Sequence, residues 1–246
     1  MPLNAISGVT RGAPYSDQAL DSIFSSVPFP LQGKMNWYEF FNDFMNLGTL
    51  VIVAGTASTT QDWTWTNANG ATLVNANEPG GAATLTLGGT VAWLASAIKI
   101  GNSFTFVAGK RAAGRIRFKS TAVADGAIVI GLGNSAALPA ALTDGLFISK
   151  ADGSAALTLN FRKAVANTTS ASLGNITSGE YVTLDYYYDG GDRLYYALNG
   201  TVLGYLDFTA AYMPDTAVAP FFYLANGAAG TGLTLTIDTL WFAQER

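Results

Sequence analysis

The sequence predicts an all-β protein: an antiparallel β-sandwich of the jelly-roll type, preceded by an extended N-terminal arm and one short helix. Three observations carry this. From residue 49 onward, short runs rich in β-branched or aromatic residues are separated by Gly, Asn and Asp turn signals. No helical period lies between those runs, which argues against βαβ units. Finally, 27 glycines and only 12% charged residues suit tight turns and a surface partly hidden in an assembly; charge is about half the usual ~25% share.

The first 34 residues read as the arm. They hold four of the eight prolines, Pro2, Pro14, Pro28 and Pro30, and proline breaks both helix and central strand. The arm is nevertheless apolar, with Leu3, Ile6, Tyr15, Phe24 and Phe29 among its larger side chains. An extended apolar segment needs a surface to lie on, either its own domain or a neighbouring subunit. The spacing then predicts a helix over 35–48, MNWYEFFNDFMNLG. Asn36 and Glu39 form a capping-box-like start. Trp37, Phe41 and Phe44 fall at i, i+4 and i+7, and Gly48 offers a stop. The expected division is an anchoring segment, 1–48, and a sandwich, 49–246.

Within the sandwich, QDWTWTNANG places Trp63 and Trp65 on one strand face before a turn. GRIRFKST and GAIVIGLG continue as strands, and Asp152-Gly153 marks a hairpin between GLFISK and ALTLNFRKA. The stretch LDYYYDGGDRLYYALNGTVLGYLDF reads as a three-stranded meander. Asp189-Gly190-Gly191-Asp192 makes its first turn, and Asn199-Gly200 its second, because both of those residues accept φ > 0. Its tyrosines serve either as sheet framework or as a sugar platform.

Composition excludes much chemistry. The chain has no cysteine and no histidine. Thiolate metal sites, thiol nucleophiles, Ser–His arrangements and histidine general bases are therefore absent. No cofactor and no metal are expected. A net charge of −4 offers no polycation for nucleic acid. No apolar run approaches the ~20 residues of a membrane span, and MPLNAISGVTRGAPYSDQ lacks the pattern of a signal peptide. Five of the thirteen basic residues crowd into 110–119. Arg115, Arg117 and Lys119 alternate with Ile116 and Phe118 and so line one strand face, either as a solvated surface or as a contact for an acidic neighbour.

The order strand–DG–strand–NG–strand, then Pro214, APFFYLANG and TLTIDTLWF, resembles concanavalin A-like jelly rolls over about residues 145–246. That group includes legume lectins, laminin-G modules and laminarinase-type glycosidases. The ending FFYLANGAAGTGLTLTIDTLWFAQER is similar, more particularly, to concanavalin-like proteins of tailed bacteriophages, among them capsid decoration (cement) proteins.

The resemblance implies a non-enzymatic virion protein on the capsid surface, assembled in the host cytoplasm. Its partners would be the major capsid protein or other shell subunits, and a trimer follows by analogy. The candidate contacts are Leu3, Ile6, Tyr15, Phe24 and Phe29 of the arm, Trp37 and Phe41 of the helix, and the stripe Arg115, Arg117 and Lys119. The alternative is a lectin-like, carbohydrate-binding module of a phage fibre or surface protein, with Trp63, Trp65 and Tyr187 stacking on sugar. The chain departs from both enzymes and legume lectins. It lacks the alternating ExDxxE carboxylates of laminarinases, leaving only cross-strand pairs such as Glu180 with Asp207, and it lacks the histidine of the legume lectin metal pair.

Overall fold

The structure is a computed structural model. It describes residues 37–42, 44, 50–51, 57–60, 63–67, 71–76, 78, 81–88, 94–99, 101, 104–135, 141–164, 167–227 and 232–246. The arm contacts Leu3, Ile6, Tyr15, Phe24 and Phe29 lie outside the described residues.

In chain order the strands are β1 (Trp37–Asn42), β2 (Leu50–Val51), β3 (Ala57–Thr60), β4 (Trp63–Asn67), β5 (Thr72–Asn75), β6 (Ala83–Thr86), β7 (Leu94–Lys99), β8 (Ala112–Ser120) and β9 (Ala127–Gly133). They continue with β10 (Gly145–Lys150), β11 (Ala156–Lys163), β12 (Asn167–Asn175), β13 (Val182–Tyr188), β14 (Arg193–Leu198), β15 (Thr201–Asp207), β16 (Ala219–Ala225) and β17 (Thr234–Glu245). Sheet A has the order β15-β14-β13-β8-β17-β6-β5-β2, with β1 also paired to β17. Sheet B has the order β12-β11-β10-β9-β16-β7-β4-β3. This is the two-sheet antiparallel sandwich that the sequence predicts.

Strand β17 organises sheet A. From Leu235 to Gln244 it lies beside β8. On its other side, Thr234–Ile237 pair with β6 and Leu240–Glu245 pair with β1, so those two strands sit end to end. A bulge between Ile237 and Thr239 shifts the register. It also resets the inward parity. Leu235 and Ile237 point to the core before it, and Leu240 and Phe242 after it. One extra residue thus keeps both halves of a long strand apolar on the same face.

Alternation elsewhere follows the period of two. Ile116 and Phe118 of β8 and Leu184, Tyr186 and Tyr188 of β13 join the core, while Arg115, Arg117 and Tyr187 point away. Gly114 stands opposite Tyr186. A β-carbon there would lie 2.4 Å from the Tyr186 ring, so the glycine is what lets that ring fold across β8. The Asn199-Gly200 turn between β14 and β15 has φ of 48° and 80°, as its sequence requires.

One expected element is corrected. Residues Trp37–Asn42 form a strand, not the start of a helix, and pair with β17 from Trp37↔Glu245 to Asn42↔Leu240. The cause is a sequence readable in both periods. Trp37 and Phe41 satisfy a spacing of four. Read by twos, Tyr38 and Phe40 face the core while Trp37, Glu39 and Phe41 face outward. Aromatic residues favour strands, and the open flank of β17 supplies a ladder that an isolated helix cannot match. Glu39 makes no capping box; it accepts a hydrogen bond from Trp241 Nε1 at 2.6 Å. Past the strand, Asn42 Oδ1 accepts from the Phe44 amide at 2.8 Å, and Phe44 adopts φ of 57°. The sandwich therefore already includes Trp37.

Candidate functional site

The sequence-predicted residues that the structure describes converge mainly on the outer face of sheet A. Register aligns Asp185, Arg115, Trp241 and Phe41 in one row across β13, β8, β17 and β1. The next row is Tyr205, Tyr195, Tyr187, Ala113, Ala243 and Glu39. Two adjacent alanines leave a shallow trough between aromatic walls. The trough is filled: Trp37 and Tyr187 pack with Ala113, Ala197 and Ala243, with Tyr195 and Trp241 against them. Trp37 and Tyr187 are each only 7% exposed. Arg111 sits 5.5 Å over the Trp37 ring and grips Glu245 through Nε and Nη2 at 3.1 and 3.0 Å. Phe41, in contrast, is 55% exposed.

The basic stripe is neutralised within the chain. Arg115 binds both Asp185 oxygens, at 2.6 and 3.2 Å. Arg117 reaches Asp238 at 2.5 Å, and Lys119 reaches Glu78 at 2.5 Å. The expected free positive face is therefore a row of ion pairs. The reason is cross-strand placement of carboxylates on β13, on the β17 bulge and ahead of β6, far away in sequence. Tyr181 completes the row. Its ring lies 3.8 Å from the Arg117 guanidinium carbon and 4.6 Å from Lys119 Nζ, and its hydroxyl donates to Glu78. Burial, then the Glu78 contact, raises the Tyr181 pKa, which keeps that proton in place.

These contacts carry a pH dependence. The Lys119 bond, then the Tyr181 hydroxyl, holds the Glu78 carboxyl below its usual 4.5, and the Arg111 bond does the same for Glu245. Both carboxyls bind protons less readily folded than unfolded. Their stabilisation is present above the unfolded value and is lost as pH falls through the lower folded value. Urea midpoints should therefore be flat from pH 7 to 5 and fall below pH 4.5. Glu78→Gln with Glu245→Gln should flatten that fall; an unchanged acid slope would refute the assignment.

The expected sugar-stacking tryptophans are corrected by their positions. Trp63 and Trp65 are 3% and 1% exposed. Their ring centroids each lie 5.4 Å from that of Phe222 in the core. Two residues apart does mean one strand face, but that face is the inner one. The Glu180–Asp207 pair does not meet either. Glu180 precedes β13, whereas Asp207 pairs with Arg193, level with the far end of β13. By strand rise they lie roughly 25–30 Å apart, far beyond the ~5–9.5 Å that glycoside hydrolysis uses.

Among the described residues, no three His, Cys, Asp or Glu side chains group as metal ligands. A half-open depression of about 260 Å³ is lined by Tyr38, Thr105, Gln244, Glu245 and Arg246. Its Gln244 accepts from the Thr105 amide at 3.0 Å and Glu245 is held by Arg111, so both polar groups are already engaged. Sequence reasoning missed Tyr205 and Tyr195, whose rings pair at 6.0 Å with Arg193 4.4 Å over Tyr205. Outward parity in the meander was the available signal.

No protein-family profile and no curated sequence matches the chain. Its similarity is to solved folds. Peanut lectin superposes with a TM-score of 0.53 at 12% identity, covering 85% of this chain and 97% of that one. The Emp47p carbohydrate recognition domain gives 0.52 at 16%, covering 79% and 93%. A Shewanella oneidensis MR-1 protein of unknown function, SO2946, gives 0.55 at 17%, covering 85% and 87%. At such identities the likeness concerns architecture alone: the chain has the concanavalin A-like β-sandwich fold.

Proposed function

We propose that this chain is a non-enzymatic structural protein of a bacteriophage virion, a decoration protein that binds the capsid shell through its N-terminal arm and subunit contacts. The observation that carries the reading is the rooting of that arm. Residues 1–36 enter the sandwich at Trp37, the first residue of a six-residue ladder on the central strand β17. Tyr38 and Phe40 then pack on the core and Trp37 on the outer cluster. A tether attached there transmits load along the strand into the centre of sheet A, where a whole ladder must shear before it yields. The shell, the virion location and a trimeric arrangement come from the family resemblance. The energetic logic is multivalent: apolar arm surface contributes about 25 cal/mol per Å² buried, before ordering costs, and many such grips add on one lattice.

A chain lacking residues 1–34 is expected to keep a cooperative melting transition and to lose shell occupancy at least tenfold in cosedimentation with particles. Undiminished occupancy would reject the reading.

A second reading, carbohydrate binding, has one observation in its favour beyond the fold. Tyr205 is 48% exposed beside Tyr195 and Arg193, an aromatic with a hydrogen-bond donor at its side. Glycan-array binding that Tyr205→Ala abolishes, with the melting temperature unchanged, would favour it. Arrays that show no Tyr205-dependent signal would dismiss it.

A further inference from the structure

We propose that the outer edge of β15, which pairs with no strand among the described residues, is a docking strand for the leader segment 3–10 of a second copy of this chain. The inference rests on reading the leader as an arm and names what that arm grips beside the shell.

Among the described residues, five strands have a flank with no partner strand: β15, β2 and β1 in sheet A, β12 and β3 in sheet B. Of these, β2 has two described residues and β3 four, and β1 carries the charged Glu39 between Trp37 and Phe41, with Phe41 its one exposed large apolar side chain. The long edge β12, NTTSASLGN, is polar, and its single large apolar residue, Leu173, is turned inward and 4% exposed. Strand β15, TVLGYLD, differs. It is seven residues long, has no Lys or Pro, and exposes Val202, Leu203 and Tyr205 by 44%, 46% and 48%. Those are three of the five exposed large hydrophobic residues among the described ones. Edges present unpaired amides and carbonyls, and stable monomers blunt them with lysine, proline or bulges. Here only a register shift by Ala197, which leaves Leu203 extra, does so. An apolar, lightly guarded edge fits an extended apolar segment: the main chain adds a strand and the side chains cover the exposed row.

The leader supplies such a segment. Between Pro2 and Pro14 it is free of proline, and residues 3–10, LNAISGVT, carry no charge and include Leu3, Ile6 and Val9. Eight residues match the seven of β15. Reach permits it. The leader enters at β1, five strand positions from β15 along the order β1-β17-β8-β13-β14-β15, about 24 Å at ~4.8 Å per step. The twenty-six residues 11–36 span up to ~85 Å when extended. That length clears its own sheet and reaches a neighbour, so strand exchange links copies around a shell position.

The absence of cysteine makes the test direct. Full-length Ile6→Cys and Leu203→Cys chains are prepared separately and mixed under mild oxidation. The expected result is a two-chain disulfide band at least tenfold stronger in the mixture than in either variant alone. Full-length Leu203→Lys, a surface change, should melt like the wild type and self-associate at least tenfold more weakly in sedimentation. The inference is overturned by any of three results: no cross-link in the mixture, equal dimer from Leu203→Cys alone, or unchanged association of Leu203→Lys. If these overturn it while removal of residues 1–34 still abolishes shell binding, the shell reading stands without it. If the cross-link forms while the truncated chain still decorates shells, the reverse holds.

Discussion

Replacing Trp65 with alanine is expected to remove about 3–5 kcal/mol of stability, the largest single effect of any substitution considered for this chain. Trp65 is 1% exposed, its ring centroid lies 5.4 Å from that of Phe222 and 6.2 Å from that of Trp63, and its strand is hydrogen-bonded to β3 and β7. A ladder on each side prevents β4 from sinking to fill the hole, so most of the cavity remains. For a chain of this size the loss corresponds to a melting temperature lower by about 10 °C. Chemical unfolding monitored by tryptophan fluorescence measures it. A Trp65→Ala protein within 1 kcal/mol of wild type would contradict the core position. Loss of sugar binding in that variant would report unfolding, not a lost stacking contact, which is why Tyr205 is the residue to test.

Arg115→Met should cost about 3 kcal/mol, whereas Arg117→Met, two residues along the same strand, should cost about 1 kcal/mol or less. The two arginines look alike in sequence. They differ in their partners: the Asp185 side chain is 1% exposed and that of Asp238 is 15% exposed. Removing Arg115 takes both guanidinium hydrogen bonds from a carboxylate that is 1% exposed, while Asp238 can be rehydrated and keeps the Thr239 hydroxyl at 3.0 Å. The double variant Arg115→Met with Asp185→Leu should recover most of the loss, because the deficit lies in a buried charge that has lost its bidentate arginine. Equal losses from the two single variants, measured by urea titration, would show that burial of the carboxylate is not what distinguishes them.

Legibility from the sequence varied with how local the deciding interaction is. The order and turns of the meander β13-β14-β15 could be read because Asn199-Gly200 and the Asp189–Asp192 turn determine their own backbone, while the bulge that leaves Leu203 extra could not. Alternation in β8 correctly separated Ile116 and Phe118 from Arg115, Arg117 and Lys119. The same alternation could not say that the basic side chains were already paired. Asp185, Asp238 and Glu78 lie 70, 121 and 41 residues from their partners. Likewise Trp63 and Trp65 were assigned to one face, but nothing local distinguishes a face that meets another sheet from one that meets solvent.

By itself, then, the chain's composition and turn chemistry determined an antiparallel sandwich without thiol or imidazole chemistry, since those properties need only neighbours in sequence. Tertiary structure decided the rest. It turned WYEFFN from helix into strand because the open flank of β17 offered six residues of ladder. It closed the aromatic trough with Trp37, neutralised the basic stripe, and left β15 as the long apolar edge. Each of those outcomes depends on which distant strand arrives alongside, and that is settled by the packing of whole sheets.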